Sequence, residues 1–267
     1  MSGNCLAPRF RNKKLFILDM DGTIYLENQL FPWTPRFLEA VAEAGATAMF
    51  LTNNSSHTGQ EYVHRLAGMN LDIMRDRILT SADATIALLR KEQPGARVFV
   101  LAPPAVQEEF AAAGLILDEE APDILVLAYD TSLTYDRLRR FALQVRKELP
   151  YLATHPDINC PSQAGPIPDS GAFMACIKAS TGRDPDRIIG KPNAGIFEAA
   201  MHLCQAAPDD TIMIGDRLYT DIAGGLAAGI DTCLVLSGES TSQMVAQSPY
   251  KPTWVFPDLS SFVVAKK

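Results

Sequence analysis

Two carboxylates two residues apart, Asp19 and Asp21, stand directly behind four apolar residues, Leu15-Phe16-Ile17-Leu18. The apolar run reads as a short strand buried on both faces, as in a parallel sheet. An acidic pair at the tip of such a strand is costly unless it is paired or holds a cation. Gly22 follows and lets the backbone turn sharply and approach a ligand closely. Strand, acidic tip and glycine turn suit a metal-assisted site at the carboxyl end of a central strand.

Three further loops offer complementary chemistry. Ala48-Met49-Phe50-Leu51 is a second apolar run, and it empties into Thr52-Asn53-Asn54-Ser55-Ser56 ahead of a helix from about Gly59. Hydroxyl and amide groups before a helix N-terminus form a cradle for an anion, or simply a capping loop. Lys191 follows the strand Arg187–Ile189, and Pro192 is expected to start a helix. Asp216 and Asp221 follow the apolar strand Thr211–Ile214. All four loops can face one crevice if the sheet is doubly wound.

The elements needed to position these groups alternate as α/β. A helix is expected over 35–44, with Thr34 as its cap and Gly45 as its stop. From about residue 80 the chain changes character: a second α/β series runs to about 185 and contains the proline- and glycine-rich loop from His155 to Pro168. A small-residue helix, Ile222–Ala228, then follows Asp221. The expectation is a core built from residues 1–80 and 185–267, with 81–184 inserted into it. Residues 1–13 read as a loosely attached arm.

The totals set limits on function. Formal net charge is −7, which argues against nucleic acid or an anionic membrane as the main partner, so an anionic substrate needs a local cation. The five cysteines are scattered and form no Cys-x-x-Cys, so neither a disulfide framework nor a zinc site is expected, and a cytoplasmic setting fits. No apolar run approaches the length of a membrane span, and the four apolar residues behind the basic N-terminus are too few for a signal peptide.

Taken together, Asp19-Met20-Asp21-Gly22-Thr23, Leu51-Thr52-Asn53-Asn54, Gly190-Lys191-Pro192 and Gly215-Asp216…Asp221 resemble, in order, the four motifs of the haloacid dehalogenase (HAD) superfamily phosphatases. The insert, with Ala153-Thr154-His155-Pro156-Asp157, resembles the cap of the NagD-like, nitrophenylphosphatase-like branch. The resemblance implies a doubly wound, Rossmann-like, mostly parallel sheet with an inserted α/β cap domain. It implies Asp19 as nucleophile and Asp21 as general acid and base. Gly22, Thr52, Asn53 and Lys191 would bind phosphate. Mg²⁺ would be held by Asp19, the Asp21 carbonyl and Asp216, with Asp221 ordering the metal shell or Lys191. His155 and Asp157 are assigned a substrate contact. A small phosphorylated metabolite is the expected substrate, and a homodimer through the cap the expected assembly.

Two other functions compete. Carbon–halogen hydrolysis needs the first aspartate but neither Asp21 nor Asp216. A catalytically silent phosphate-binding or regulatory protein could use the same fold, although every side chain the chemistry needs is present.

Overall fold

The computed structural model describes residues 4–160 and 165–266. The centre of the Pro/Gly-rich loop and the first three residues of the N-terminal arm lie outside the described residues. The chain forms two compact units.

The first unit comprises residues 1–52, 62–79 and 191–267. Its six-stranded sheet runs in the order Trp254–Phe256, Asp231–Val235, Thr211–Gly215, Leu15–Leu18, Thr47–Thr52 and Ile78–Thr80. The pairs from Trp254–Phe256 across to Thr47–Thr52 are all parallel. Leu15–Leu18 is buried along its whole length, as its unbroken apolar run requires. Strand order reverses between Leu15–Leu18 and Thr211–Gly215, which makes the carboxyl ends of those two strands the topological switch point where such sheets bind ligands.

The N-terminal arm is not loose. Asn4–Leu6 pairs antiparallel with Val263–Ala265, and Phe10 is fully buried, with its ring centroid 4.4 Å from that of Phe262. Leu6, Ala7 and Phe10 lie among basic residues in sequence, yet they close one end of the core. Thr34 is also used differently from the expectation. The helix Thr34–Glu43 has Trp33 at its N-cap with no side-chain cap, and Thr34 Oγ1 donates to the Ile24 carbonyl at 2.7 Å. Pro192 does not open a helix: the Lys191–Pro192 peptide is cis, and the helix runs Ala194–Leu203.

The second unit comprises residues 53–61 and 80–190. It has its own parallel five-stranded sheet, in the order Arg187–Ile188, Tyr151–Ala153, Ile124–Leu127, Arg97–Leu101, Ile116–Leu117. Arg187–Ile188 falls after residue 185, where the sequence reading resumes the first unit. It pairs instead with Tyr151–Ala153, because the backbone groups exposed along that strand edge need partners. The helix Tyr135–Val145 is capped by Thr134, whose Oγ1 accepts from Arg137 N.

Candidate active site

The acidic tip, the lysine and the second acidic pair meet in the first unit. Asp19 follows Leu18, and its N–H donates to the Ile214 carbonyl on the neighbouring strand at 2.9 Å. Asp216 follows Gly215 at the end of that neighbour. Carboxylate oxygens of Asp19, Asp216 and Asp221 lie within 4.8 Å of one another. Lys191 is 3% exposed, and its Nζ donates to Asp19 Oδ1 and, at 2.7 Å, to Asp221 Oδ1.

The glycines are set by this crowding. A Cβ on Gly22 would fall 2.6 Å from Asp216 Oδ2, and Gly22 also has φ of 83°. A Cβ on Gly215 would collide with the Asp221 carboxyl, and one on Gly238 with that of Asp216. The backbone closes in on the two carboxylates from three sides, and no side chain fits there.

Charge in the cluster follows burial and neighbours. Burial alone would discharge Lys191, but Asp19 and Asp221 outweigh it and raise its pKa, so it stays protonated. Burial pushes the Asp221 carboxyl up to about 6, against the pull of Lys191. Burial, then Asp19 and Asp221, push Asp216 well above the usual carboxylate range. Asp21 is raised by burial and then by Asp19, with Arg65 and Arg217 opposing.

The donor set fits a hard divalent cation. Asp216 Oδ1 is buried with no hydrogen-bond partner among the described residues, while Oδ2 accepts from Glu239 N at 2.6 Å. A buried carboxylate oxygen of this kind beside two more carboxylates is one that a cation would satisfy, and an all-oxygen set suits Mg²⁺. Asp221 stands in the same buried cluster. It shares the oxygen cluster while binding Lys191 through Oδ1 and Arg217 N through Oδ2 at 3.0 Å.

Thr52 ends its strand on the same side of the sheet as Asp19 and Asp216 and is buried. Asn53, in the second unit, turns its amide to Asp157, with Nδ2 donating to the two carboxylate oxygens at 3.3 and 3.2 Å. His155 is fully buried. Its Nε2 lies 2.9 Å from Asp169 Oδ1, and its Nδ1 3.0 Å from Thr154 Oγ1. The ring is therefore an internal support of its loop, and of the two residues assigned to substrate only Asp157 keeps accessible surface.

Sequence reading missed the segment after Asp231–Val235. Ser237 Oγ donates to the Gly22 carbonyl at 2.7 Å, and Glu239 both binds Asp216 and pairs with Arg217 Nε at 3.0 Å. Its position at the carboxyl end of the next parallel strand is the signal that could have marked it. Arg217 is largely buried among acids: burial works against its charge, but Asp19 and Asp216 outweigh it and raise its pKa.

Comparison with known proteins identifies the family. A haloacid dehalogenase-like hydrolase family model matches residues 16–116, and a HAD-hydrolase-like model matches 188–262. An acid sugar phosphatase of Staphylococcus haemolyticus is 32% identical over 251 residues, covering 94% of this chain and 95% of that one. A 4-nitrophenylphosphatase of Thermotoga maritima superposes with a TM-score of 0.92 at 44% identity, covering 94% and 97% of the two chains. A glycerol phosphate phosphatase of Mycobacterium tuberculosis, solved with magnesium, gives 0.87 at 28% identity, over 94% of this chain and 76% of that one. The chain belongs to the haloacid dehalogenase-like hydrolases. Within them it is an enzyme of the NagD-like, nitrophenylphosphatase-like branch of phosphatases. Among the described residues no helix is long and apolar enough to cross a membrane.

Proposed function

We propose that this chain is a Mg²⁺-dependent phosphomonoester hydrolase that acts on small phosphorylated metabolites through a phosphoryl-Asp19 intermediate. The observation that carries the reading is the convergence of Asp19, Asp216, Asp221 and Lys191 at the switch point of the first unit's sheet. Asp19, the Asp21 carbonyl and Asp216 would hold the cation. Bound there, it would offset the repulsion between a carboxylate and a phosphate dianion.

The chain's own residues do the rest. Asp19 is a carboxylate, needs no base, and attacks phosphorus in line. An Asp19 O–P bond forms as the ester P–O bond breaks, and the departing oxygen takes its proton from Asp21. Water then attacks phosphorus and gives its proton to Asp21, and the Asp19 O–P bond breaks. The raised pKa of Asp21 suits both roles. Lys191, the Thr52 hydroxyl and the backbone N–H at Asn53 stabilise the transferring group, where catalysis is mostly positioning and electrostatics, while the Gly22 N–H is already given to the Tyr25 carbonyl.

The residues 81–184 serve as a cap that excludes water and reads the leaving group, with Asp157 as the contact and His155 as its support. The candidate substrates are sugar phosphates, glycerol phosphate, nucleotides, phosphoglycolate and pyridoxal phosphate. The acid sugar phosphatase relative favours the first. A cytoplasmic setting and pairing of two copies through the cap complete the proposal.

The test is release of phosphate from p-nitrophenyl phosphate with Mg²⁺ and with EDTA. Turnover that requires the cation and vanishes in Asp19→Asn supports the reading; wild-type turnover in that variant sinks it.

A further inference from the structure

No motif marks Arg65, yet it grips the turn that carries Asp21. It lies on the helix Gly59–Gly68. Its Nη2 donates to the Glu27 carbonyl at 2.7 Å, and its guanidinium carbon stands 4.9 Å from the centroid of the Tyr25 ring. Those two residues belong to one small hairpin. Tyr25–Leu26 pairs antiparallel with Gln29–Leu30, and Glu27 takes the left-handed conformation at its tip, with φ of 54°. A residue with a Cβ is disfavoured there, and a cation bonded to its carbonyl helps to hold it.

The hairpin is joined to Asp21 by backbone. Asp21 and Tyr25 form a β-bridge, and Gly22 N donates to the Tyr25 carbonyl at 2.8 Å. The Tyr25 ring is 1% exposed, so it cannot shift without disturbing the core. On the inner side Ser237 fixes the Gly22 carbonyl. Arg65 is the fastening on the outer side.

We propose that Arg65 is a positioning residue for Asp21: through Tyr25 and Glu27 it holds the turn that aims the Asp21 carboxyl at the leaving-group oxygen. The inference rests on Asp21 being the proton donor, as proposed for the phosphoryl transfer. A proton donor works only within hydrogen-bond reach, and small displacements lower rates steeply.

The test compares two esters of nearly the same shape. Phenyl phosphate leaves as a basic phenolate and needs a proton; p-nitrophenyl phosphate leaves as a stabilised anion and needs one far less. Because kcat/KM stops at the first irreversible step, it isolates phosphoryl transfer to Asp19. The ratio of the two values on one protein sample is independent of how much of it is folded. Proton transfer supplies about 10²–10⁴ in rate, so partial misplacement in Arg65→Met should lower kcat/KM for phenyl phosphate about 10-fold more than for p-nitrophenyl phosphate. Arg65→Lys, which keeps a cation over Tyr25, should recover part of that ratio. Equal losses on both esters, or none, with the unsubstituted chain active, would overturn the inference alone. An unsubstituted chain that hydrolyses neither ester would overturn the phosphatase reading and this inference with it.

Discussion

Lys191 Nζ and Asp221 Oδ1 are 2.7 Å apart, with Lys191 only 3% exposed and Asp221 fully buried. The same ammonium also donates to Asp19, so one cation neutralises two of the three clustered carboxylates. Asp221→Asn removes a buried partner and leaves the ammonium half-matched. Breaking such a pair lowers stability by on the order of 3–5 kcal/mol, which calorimetry should read as a lower Tm. Lys191→Met should fold less stably too, and its turnover should fall by about 10²–10³, the usual effect of losing one group that faces developing charge. A variant at position 191 with near-normal turnover would remove the lysine from the reaction.

Asp216 links metal, proton and stability. Its folded-state pKa is raised well above that of the unfolded chain, by burial first and then by Asp19 and Asp221. Folded protein therefore holds a proton that unfolded protein has lost, and metal-free stability falls as pH rises through that window. In the proposed site Mg²⁺ would compete with the proton for the same oxygens. The Tm rise on adding saturating Mg²⁺ should be roughly 5 °C or more near pH 8 and should shrink toward zero near pH 5. Asp216→Asn should abolish the rise at both. A cation effect that grew on acidification would rule out these carboxylates as the ligands.

Gly238 tests how tightly the proposed metal-binding oxygens are held. A Cβ there would overlap the Asp216 carboxyl, whose Oδ2 is already fixed by Glu239 N. Gly238→Ala must push the carboxylate off its position. The Mg²⁺ concentration for half-maximal activity should rise about 10–100-fold, as when outer partners of a metal ligand are removed. An unchanged metal titration would show that the ligand can move freely.

The strand ends at Asp19, Thr52 and Asp216 were legible because each polar group interrupts an unbroken apolar run. Asp19 after Leu15–Leu18 and Asp216 after Thr211–Gly215 mark parallel strand ends, and strand ends of one sheet share a side. What stayed hidden depends on tertiary partners. Arg187–Ile188 is two residues long and carries no signal for which sheet it joins. Phe10 sits between charged neighbours, and only the pairing of Asn4–Leu6 with Val263–Ala265 brings it to the core. Arg65 and Glu239 act through backbone and side-chain contacts that no local pattern encodes.

His155 and Asp157, both assigned to substrate contact by sequence, differ in burial. Both nitrogens of the buried His155 ring are engaged, and its partner Asp169 also caps the helix Ser170–Thr181 through Ser170 N. His155→Ala leaves that carboxylate short of a partner and opens a cavity, lowering stability by on the order of 3 kcal/mol. Assayed well below its Tm, the variant should rank a panel of phosphate esters as the unsubstituted chain does. Asp157 is half-buried, and its carboxylate receives only the Asn53 amide among the hydrogen bonds described for its side chain. Asp157→Ala should barely move the Tm but should reorder the panel, because it deletes the carboxylate proposed to contact the leaving group. The reverse pattern, a reordered panel in His155→Ala and an unchanged one in Asp157→Ala, would put the imidazole against substrate. The loop would then have to open enough to free the ring from Asp169.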